Sequence, residues 1–222
     1  MEKRIFKDKV YSTLAKMIRA MANPRRLEII DLLGQGEKSV EEIAIETNMS
    51  VANASQHLQV LKAGSIVEIR REKNFIHYRL AHDEIYRSWQ NLRELGMERI
   101  ADIEKLINNF RQKKDGLEPI KLEELINRLK EKNIVLLDVR PEKEYNSGHI
   151  PKAINIPVQA LLTKLKKLPK NKEYIAYCRG PFCVFADDAV NILSNKGFKA
   201  RRLVEGFPDW RSKGLRVEMV EY

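Results

Sequence analysis

Residues 174–183 constrain this chain more than any other stretch. Tyr174-Ile175-Ala176-Tyr177 is apolar, β-prone and free of charge, so it reads as a buried strand. Beyond it, Val184, Ala189, Val190, Ile192 and Leu193 supply the apolar face of a helix that Asn195-Lys196-Gly197 ends. The loop between them, Cys178-Arg179-Gly180-Pro181-Phe182-Cys183, holds both cysteines of the chain. Cys178 therefore sits where a strand ends and a tight loop turns into a helix. Such a loop aims successive backbone N–H groups inward, and the helix N-terminus adds a positive end. Both favour the thiolate, which is the nucleophile, and the same cradle suits an anion carried on the sulfur, such as a persulfide. The plainer reading is a pair of buried, inert structural cysteines.

With 222 residues the chain is comfortable as two small domains. It contains no apolar run long enough to span a bilayer, and Met1-Glu2-Lys3-Arg4 is not followed by an apolar secretory core. A cytoplasmic protein with no membrane partner is expected. In a reducing compartment two cysteines are more often reactive than joined in a structural disulfide. The net charge of +10 permits a nucleic-acid partner. The excess is spread, however, with 21 Lys+Arg against 17 Asp+Glu over residues 1–115 and 20 against 14 over the remainder. Charge alone does not locate a binding surface.

The first half reads as helices plus one hairpin. Val10, Leu14, Met17, Ile18 and Met21 recur at helical spacing, and Asn23-Pro24 opens a second helix that Gly34-Gln35-Gly36 stops. Ser39 and Glu42 have the spacing of a capping box before a short helix. Ser50 can cap the next helix, with Val51, Ala54, Leu58 and Leu61 inward and Asn53, Ser55, Gln56, His57 and Gln59 on other faces. Two β-prone runs, 66–71 and 75–80, flank Glu72-Lys73-Asn74 as a hairpin.

Two short helices followed by a basic-tipped hairpin make a winged helix-turn-helix. The run from Ser50 to Gly64, continuing through the hairpin to Tyr78-Arg79-Leu80, resembles the ArsR family of bacterial transcriptional repressors, and Ala22-Asn23-Pro24-Arg25-Arg26-Leu27 resembles that family's second-helix opening. The likeness covers about residues 8–110. It implies a homodimer that binds a double-stranded DNA operator. The helix from Val51 would enter the major groove, with Ser50, Asn53, Ser55, Gln56 and His57 as candidate contacts. Arg70, Arg71, Lys73 and Asn74 of the wing would reach phosphate or minor groove. A solvated helix face is the alternative for each, and His57 can equally pack or cap locally.

From Asp83 to Arg111 the apolar positions Ile85, Trp89, Leu92, Gly96, Ile100, Ile103, Ile107 and Phe110 alternate spacings of three and four, a seam that wants a partner helix. Gly96 on that seam implies a close helix–helix approach, at the dimer interface or against the chain's own first helix. Many ArsR proteins are metal sensors, but residues 1–115 contain no cysteine and only His82 lies near the start of the last helix. No metal site and no cofactor is expected, so any sensing chemistry lies elsewhere in the chain or with a partner.

Polar residues 113–118 read as a linker between domains at 1–112 and 119–222. After it, helices and strands alternate as in an α/β domain with a mostly parallel sheet, whose reactive loops lie at the carboxyl ends of strands. Leu137-Asp138-Val139-Arg140, the run from Glu144 through Gly148-His149-Ile150-Pro151 to Pro157, Tyr177-Cys178-Arg179-Gly180 and Glu205-Gly206-Phe207-Pro208-Asp209-Trp210 together resemble the rhodanese domain over residues 119–219. The resemblance implies that Cys178 accepts a sulfane sulfur from a small donor, becomes a persulfide held by backbone N–H groups of Arg179 to Cys183, and passes the sulfur to an acceptor thiol or cyanide. Asp138 and Arg140 match positions that order the loop, or form a structural ion pair. His149 and Trp210 match positions that are mainly structural. Cys183 departs from the commoner family loops. It can attack a persulfide on Cys178, or it can be a buried first-turn helix residue. Val184 stands where related phosphatases end their longer loop with Arg, which argues against that activity.

The expectation is thus a two-domain protein, a mainly α winged helix-turn-helix followed by an α/β rhodanese-like parallel sheet. It would be a DNA-binding regulator, a repressor by resemblance, that senses or transfers reactive sulfur through Cys178. The alternatives are a sulfurtransferase tethered to DNA and a thiol sensor of another anion, such as an arsenic oxyanion.

Overall fold

The computed structural model describes residues 2–72, 75–111 and 119–220. Lys73 and Asn74, expected in the wing, and residues 113–118, expected as the linker, lie outside the described residues. The chain divides into two compact units, Met1–Gln90 and Asn91–Tyr222.

The first unit contains α1 (Glu2–Met21), α2 (Pro24–Leu33), β1 (Lys38–Ser39), α3 (Val40–Glu46), α4 (Val51–Ala63), β2 (Val67–Glu72) and β3 (Phe75–Leu80), and the start of α5 (Asp83–Arg99). Short polar side chains start its helices. Asn23 accepts from the N–H groups of Arg25 and Arg26 before α2, and Ser50 accepts from Asn53 at 3.2 Å before α4. The capping box at α3 is complete, Ser39 N donating to Glu42 at 2.8 Å and Glu42 N to the Ser39 hydroxyl at 3.2 Å. β1, β3 and β2 form an antiparallel sheet in that order. Ile29, Ile30, Ile43, Ala54, Leu58, Leu61 and Ile66 are fully buried together, with Ile85, Tyr86 and Trp89 of α5 closing the same core. Val51, expected inward, is 47% exposed at the N-terminal end of α4, whereas Ala54, Leu58 and Leu61 of the same helix are fully buried.

The second unit takes the rest of α5, then α6 (Ala101–Arg111), α7 (Leu122–Arg128), β4 (Ile134–Asp138), α8 (Glu142–Ser147), β5 (Ile154–Asn155), α9 (Val158–Lys164), β6 (Glu173–Tyr177), α10 (Phe185–Asn195), β7 (Lys199–Arg202) and α11 (Phe207–Ser212). The segment from Asp83 to Arg111 is thus two helices interrupted at Ile100, although Ile100 N still donates to Gly96 O at 2.9 Å. Among the described residues Gly96 meets no tight neighbour, since a Cβ there would lie 3.7 Å from Ile103 Cδ1.

The four strands run parallel in the order β5-β4-β6-β7. Leu137 stands opposite Ala176 and Asp138 opposite Tyr177, so β4 and β6 end level with each other. The chain leaves β4 toward β5 on one side and β6 toward β7 on the other. The carboxyl ends of β4 and β6 therefore flank the switch point of the sheet, where such sheets place their reactive loops. Every residue of β6 is buried, as its charge-free middle requires.

Candidate functional site

The loop after β6 occupies that switch point. Cys178 is buried at 3% exposure, Pro181 is buried, and Arg179, Gly180 and Cys183 are half-buried; Phe182 is exposed. Cys183 N donates to Gly180 O at 3.1 Å, which folds the loop back on itself. α10 begins only at Phe185, so Cys183 is a loop residue and not a first-turn helix residue. The turn consumes the Cys183 N–H that was expected to face the Cys178 sulfur. Backbone N–H groups of Gly180 and Ala186 face Cys178 instead, and those of Arg179 and Phe185 face Cys183.

The two thiols hydrogen-bond to each other. Burial pushes the Cys178 thiol well above its ordinary value, and the neighbouring Cys183 sulfur pushes it further. Cys183 is brought down to about 7 by the hydrogen bond from Cys178, then by the two backbone N–H groups and the Arg179 charge. The pair therefore ionises first at Cys183, not at Cys178, where the sequence alone had placed the charge. The pair as a whole provides the thiolate that sulfur chemistry needs.

Charged groups hold the loop's shape. Arg179 donates to both carboxylate oxygens of Glu144, at 3.1 and 2.6 Å, and lies 5.4 Å from the Phe185 ring. Gly180 has φ +151°, a conformation that side chains disfavour. Gly206 packs against the Arg179–Gly180 backbone, and Phe207 N donates to Cys178 O at 3.1 Å. Asp209 accepts from Gly206 N at 2.8 Å and is ion-paired with Arg93, both side chains being buried. Arg111 donates to Pro181 O at 2.7 Å and, with Arg202, pairs with Asp187 in the first turn of α10. None of Arg93, Arg111, Asp187 or Arg202 was singled out from the sequence, and Glu144 and Asp209 stood there only as members of quoted motifs; the contacts join residues far apart along the chain.

Asp138 and Arg140 form a fully buried ion pair at 2.7 Å, and Arg140 also donates to Gly148 O at 2.8 Å and lies over the Phe207 ring. Their contacts support the β4 end. His149 stacks on Tyr145 with ring centroids 3.7 Å apart, and Trp210 is buried, donating to Arg216 O at 2.7 Å.

In the first unit, Asn53 and Gln56 of α4 are exposed, and Ser55 and His57 are half-buried. Burial, then Arg26 and Arg25, lower the His57 pKa, which keeps its ring neutral. Ser50 spends its hydroxyl on the helix cap. Arg70 is clamped by Glu37, whereas Arg71 is exposed. Among the described residues no helix is long and apolar enough to cross a membrane.

The family described as "Bacterial regulatory protein, arsR family" matches residues 23–68, and "Rhodanese-like domain" matches residues 121–213. Over 205 residues the chain is 40% identical to the HTH-type transcriptional regulator Rv0324 of Mycobacterium tuberculosis, covering 92% of this chain and 90% of that protein. The chain belongs to the arsR family of bacterial regulatory proteins. This arsR-family chain carries a C-terminal rhodanese-like domain as well, and it is a DNA-binding transcriptional regulator. It is also 38% identical over 80 residues to the biofilm growth-associated repressor of Agrobacterium fabrum, spanning 36% of this chain and 68% of the relative. Its C-terminal part is 31% identical over 83 residues to YtwF of Bacillus subtilis, spanning 37% of this chain and 79% of the relative. Among solved structures, the homodimeric winged helix-turn-helix domain of a Mycobacterium bovis regulator aligns with a TM-score of 0.41 at 40% identity, covering 42% of this chain and 87% of the other. A rhodanese-related protein from Thermoplasma volcanium aligns with a TM-score of 0.42 at 30% identity, covering 47% of this chain and all of the other.

Proposed function

We propose that this arsR-family regulator is a homodimeric repressor that takes up reactive sulfur at Cys178 as a persulfide, and that loading weakens its hold on a double-stranded DNA operator. The observation that carries this reading is the paired-thiol loop. Both cysteines of the chain lie in it, backbone N–H groups face each sulfur, and the pair titrates low enough to supply a thiolate at neutral pH. The first 115 residues hold no cysteine, so a thiol-based signal enters through the C-terminal domain.

A dimer accounts for the apolar faces left open. α1 exposes Phe6, Tyr11, Leu14 and Ile18, and α5 and α6 expose Leu92, Leu95, Leu106 and Phe110. On the DNA side, Asn53, Ser55 and Gln56 are the base-reading candidates of α4, and Arg71 with Lys73 supplies phosphate affinity. His57 contributes as a neutral ring. Ser50 acts mainly as the cap, and Arg70 mainly with Glu37.

The test joins two readouts on one sample. Full-length protein, reduced or treated with a polysulfide, is titrated onto the DNA upstream of its own coding region in a mobility-shift assay, and both samples are mapped by mass spectrometry. Sulfur confined to the Cys178–Cys183 peptide together with weaker binding is the expected result. Sulfur uptake with unchanged binding would overturn the sensing role. It would favour the second reading, a sulfurtransferase placed on DNA, for which the sulfurtransferase name carried by the relative YtwF speaks.

A further inference from the structure

Resting on that reading of Cys178 as the sulfur acceptor, we propose that Cys183 is the second reactive residue of the loop: it attacks the Cys178 persulfide, closes a Cys178–Cys183 disulfide and expels hydrosulfide. The loop then records reactive sulfur as a disulfide, and the sulfur itself does not stay.

Three features of the geometry support this role. Cys178 belongs to the core cluster and Cys183 packs against that same cluster, so the two thiols share one neighbourhood, and each perturbs the other's ionisation. The Gly180 O to Cys183 N turn folds the loop back on itself just before position 183. Cys183 also precedes Val184, the cap of α10, so a small shift of the loop closes the bridge without unwinding the helix. The exposures differ in a useful sense as well. Cys178 is buried in the core cluster, while Cys183 is half-buried and packs against it, which makes it the more accessible of the two to a small reductant. The low titration of Cys183 supports the same assignment, because the attacking sulfur must be available as thiolate near neutral pH.

The chemistry balances in two steps. The Cys178 sulfur attacks the terminal sulfur of a hydropersulfide R–S–SH, forming Cys178–S–SH, and the Cys178 proton leaves on the released thiolate as R–SH. The Cys183 thiolate then attacks the inner sulfur, Cys178 Sγ. The new bond is Cys183 Sγ–Cys178 Sγ, the bond broken is the persulfide S–S, and the electron pair leaves with the outer sulfur as HS⁻. Two thiols are oxidised to a disulfide and one sulfane sulfur is reduced to sulfide. A small thiol resets the loop, two equivalents R–SH becoming R–S–S–R as both cysteines are reduced.

Full-length reduced protein and its Cys183→Ser variant are each treated with sodium tetrasulfide, freed of excess reagent, and examined by intact mass and by thiol alkylation under denaturing conditions. The wild-type chain should lose both alkylatable thiols and two hydrogens and carry no added sulfur. Cys183→Ser should stop one step earlier, one sulfur heavier, with that sulfur on Cys178 and removable by cyanide. Retention of added sulfur by the wild-type chain, as a persulfide or bridging both cysteines, overturns the inference and leaves Cys178 as acceptor. Absence of added sulfur from Cys183→Ser removes Cys178 as acceptor, and the inference falls with the reading beneath it.

Discussion

Gly206 lies flat against the peptide joining Arg179 to Gly180, so close that a Cβ at position 206 would overlap the Arg179 carbonyl carbon and the Gly180 nitrogen. The start of α11 therefore forms one wall of the cysteine loop, with Phe207 N donating to Cys178 O and Asp209 tying Gly206 N down. The obstacle is backbone, which cannot rotate aside. Gly206→Ala should cost about 1–3 kcal/mol by overpacking. It should also displace the Gly180 N–H from the Cys178 sulfur. Chemical unfolding reads the first effect, and faster alkylation of the normally buried Cys178 reads the second. A variant equal to wild type in both would contradict the packing described.

The cysteine pair gives a pH-dependent readout. Iodoacetamide should label one thiol per chain, Cys183, with a rate that rises through a midpoint of about 7. The largest cause of that low value is the hydrogen bond from Cys178. Cys178→Ala should therefore move the midpoint upward, and an unmoved midpoint would mean that the thiols do not interact.

Acid stability should depend on Glu173 at the start of β6. Arg128, then Lys199, hold its carboxyl down at about 2 from an ordinary value of 4.5, with ion pairs of 3.0 and 3.1 Å. Because the folded value lies below the unfolded one, the stabilisation is complete above about pH 4.5 and is lost as the pH falls toward 2. Glu173→Gln should lower stability at neutral pH by on the order of 3 kcal/mol and flatten the loss on acidification, as measured by denaturant unfolding across that range. An acid limb of wild-type steepness in the variant would contradict the assignment.

The two elements proposed to read DNA should separate in a binding assay. Gln56→Ala on α4 should cost about 1–3 kcal/mol on the operator and little on unrelated DNA. Arg71→Ala on the wing should weaken both alike and reduce the salt slope by about 1. Exchange of these two patterns would mean that the recognition elements have been assigned in reverse.

How much of this was legible in the sequence depended on the range of the interaction. Caps such as Asn23, Ser39 and Ser50 act within three residues of themselves, and each is used as its spacing implies. The strand at 173–177, apolar through its middle, is buried as its composition demands. The residues around the cysteine loop were not legible in the same way. Arg93 and Arg111 occupy polar positions of helical patterns and look solvated until the fold sets them against Asp209 and Pro181. The start of α10 was set too early because Val184 continues an apolar helical face, while the backbone turn at Gly180–Cys183 that excludes Cys183 from the helix leaves no periodic trace. The charge on the thiol pair is likewise a matter of burial and mutual contact, which spacing does not encode.

The most direct test of the account is an equilibrium titration of operator DNA, followed by fluorescence anisotropy, with wild-type protein and Cys178→Ser, each before and after exposure to polysulfide. The account predicts weaker binding by sulfur-treated wild type, recovery on reduction with a small thiol, and no response from Cys178→Ser. Equal affinity of treated and untreated wild type, with modification of the loop verified by mass, would contradict it. So would a full response from Cys178→Ser.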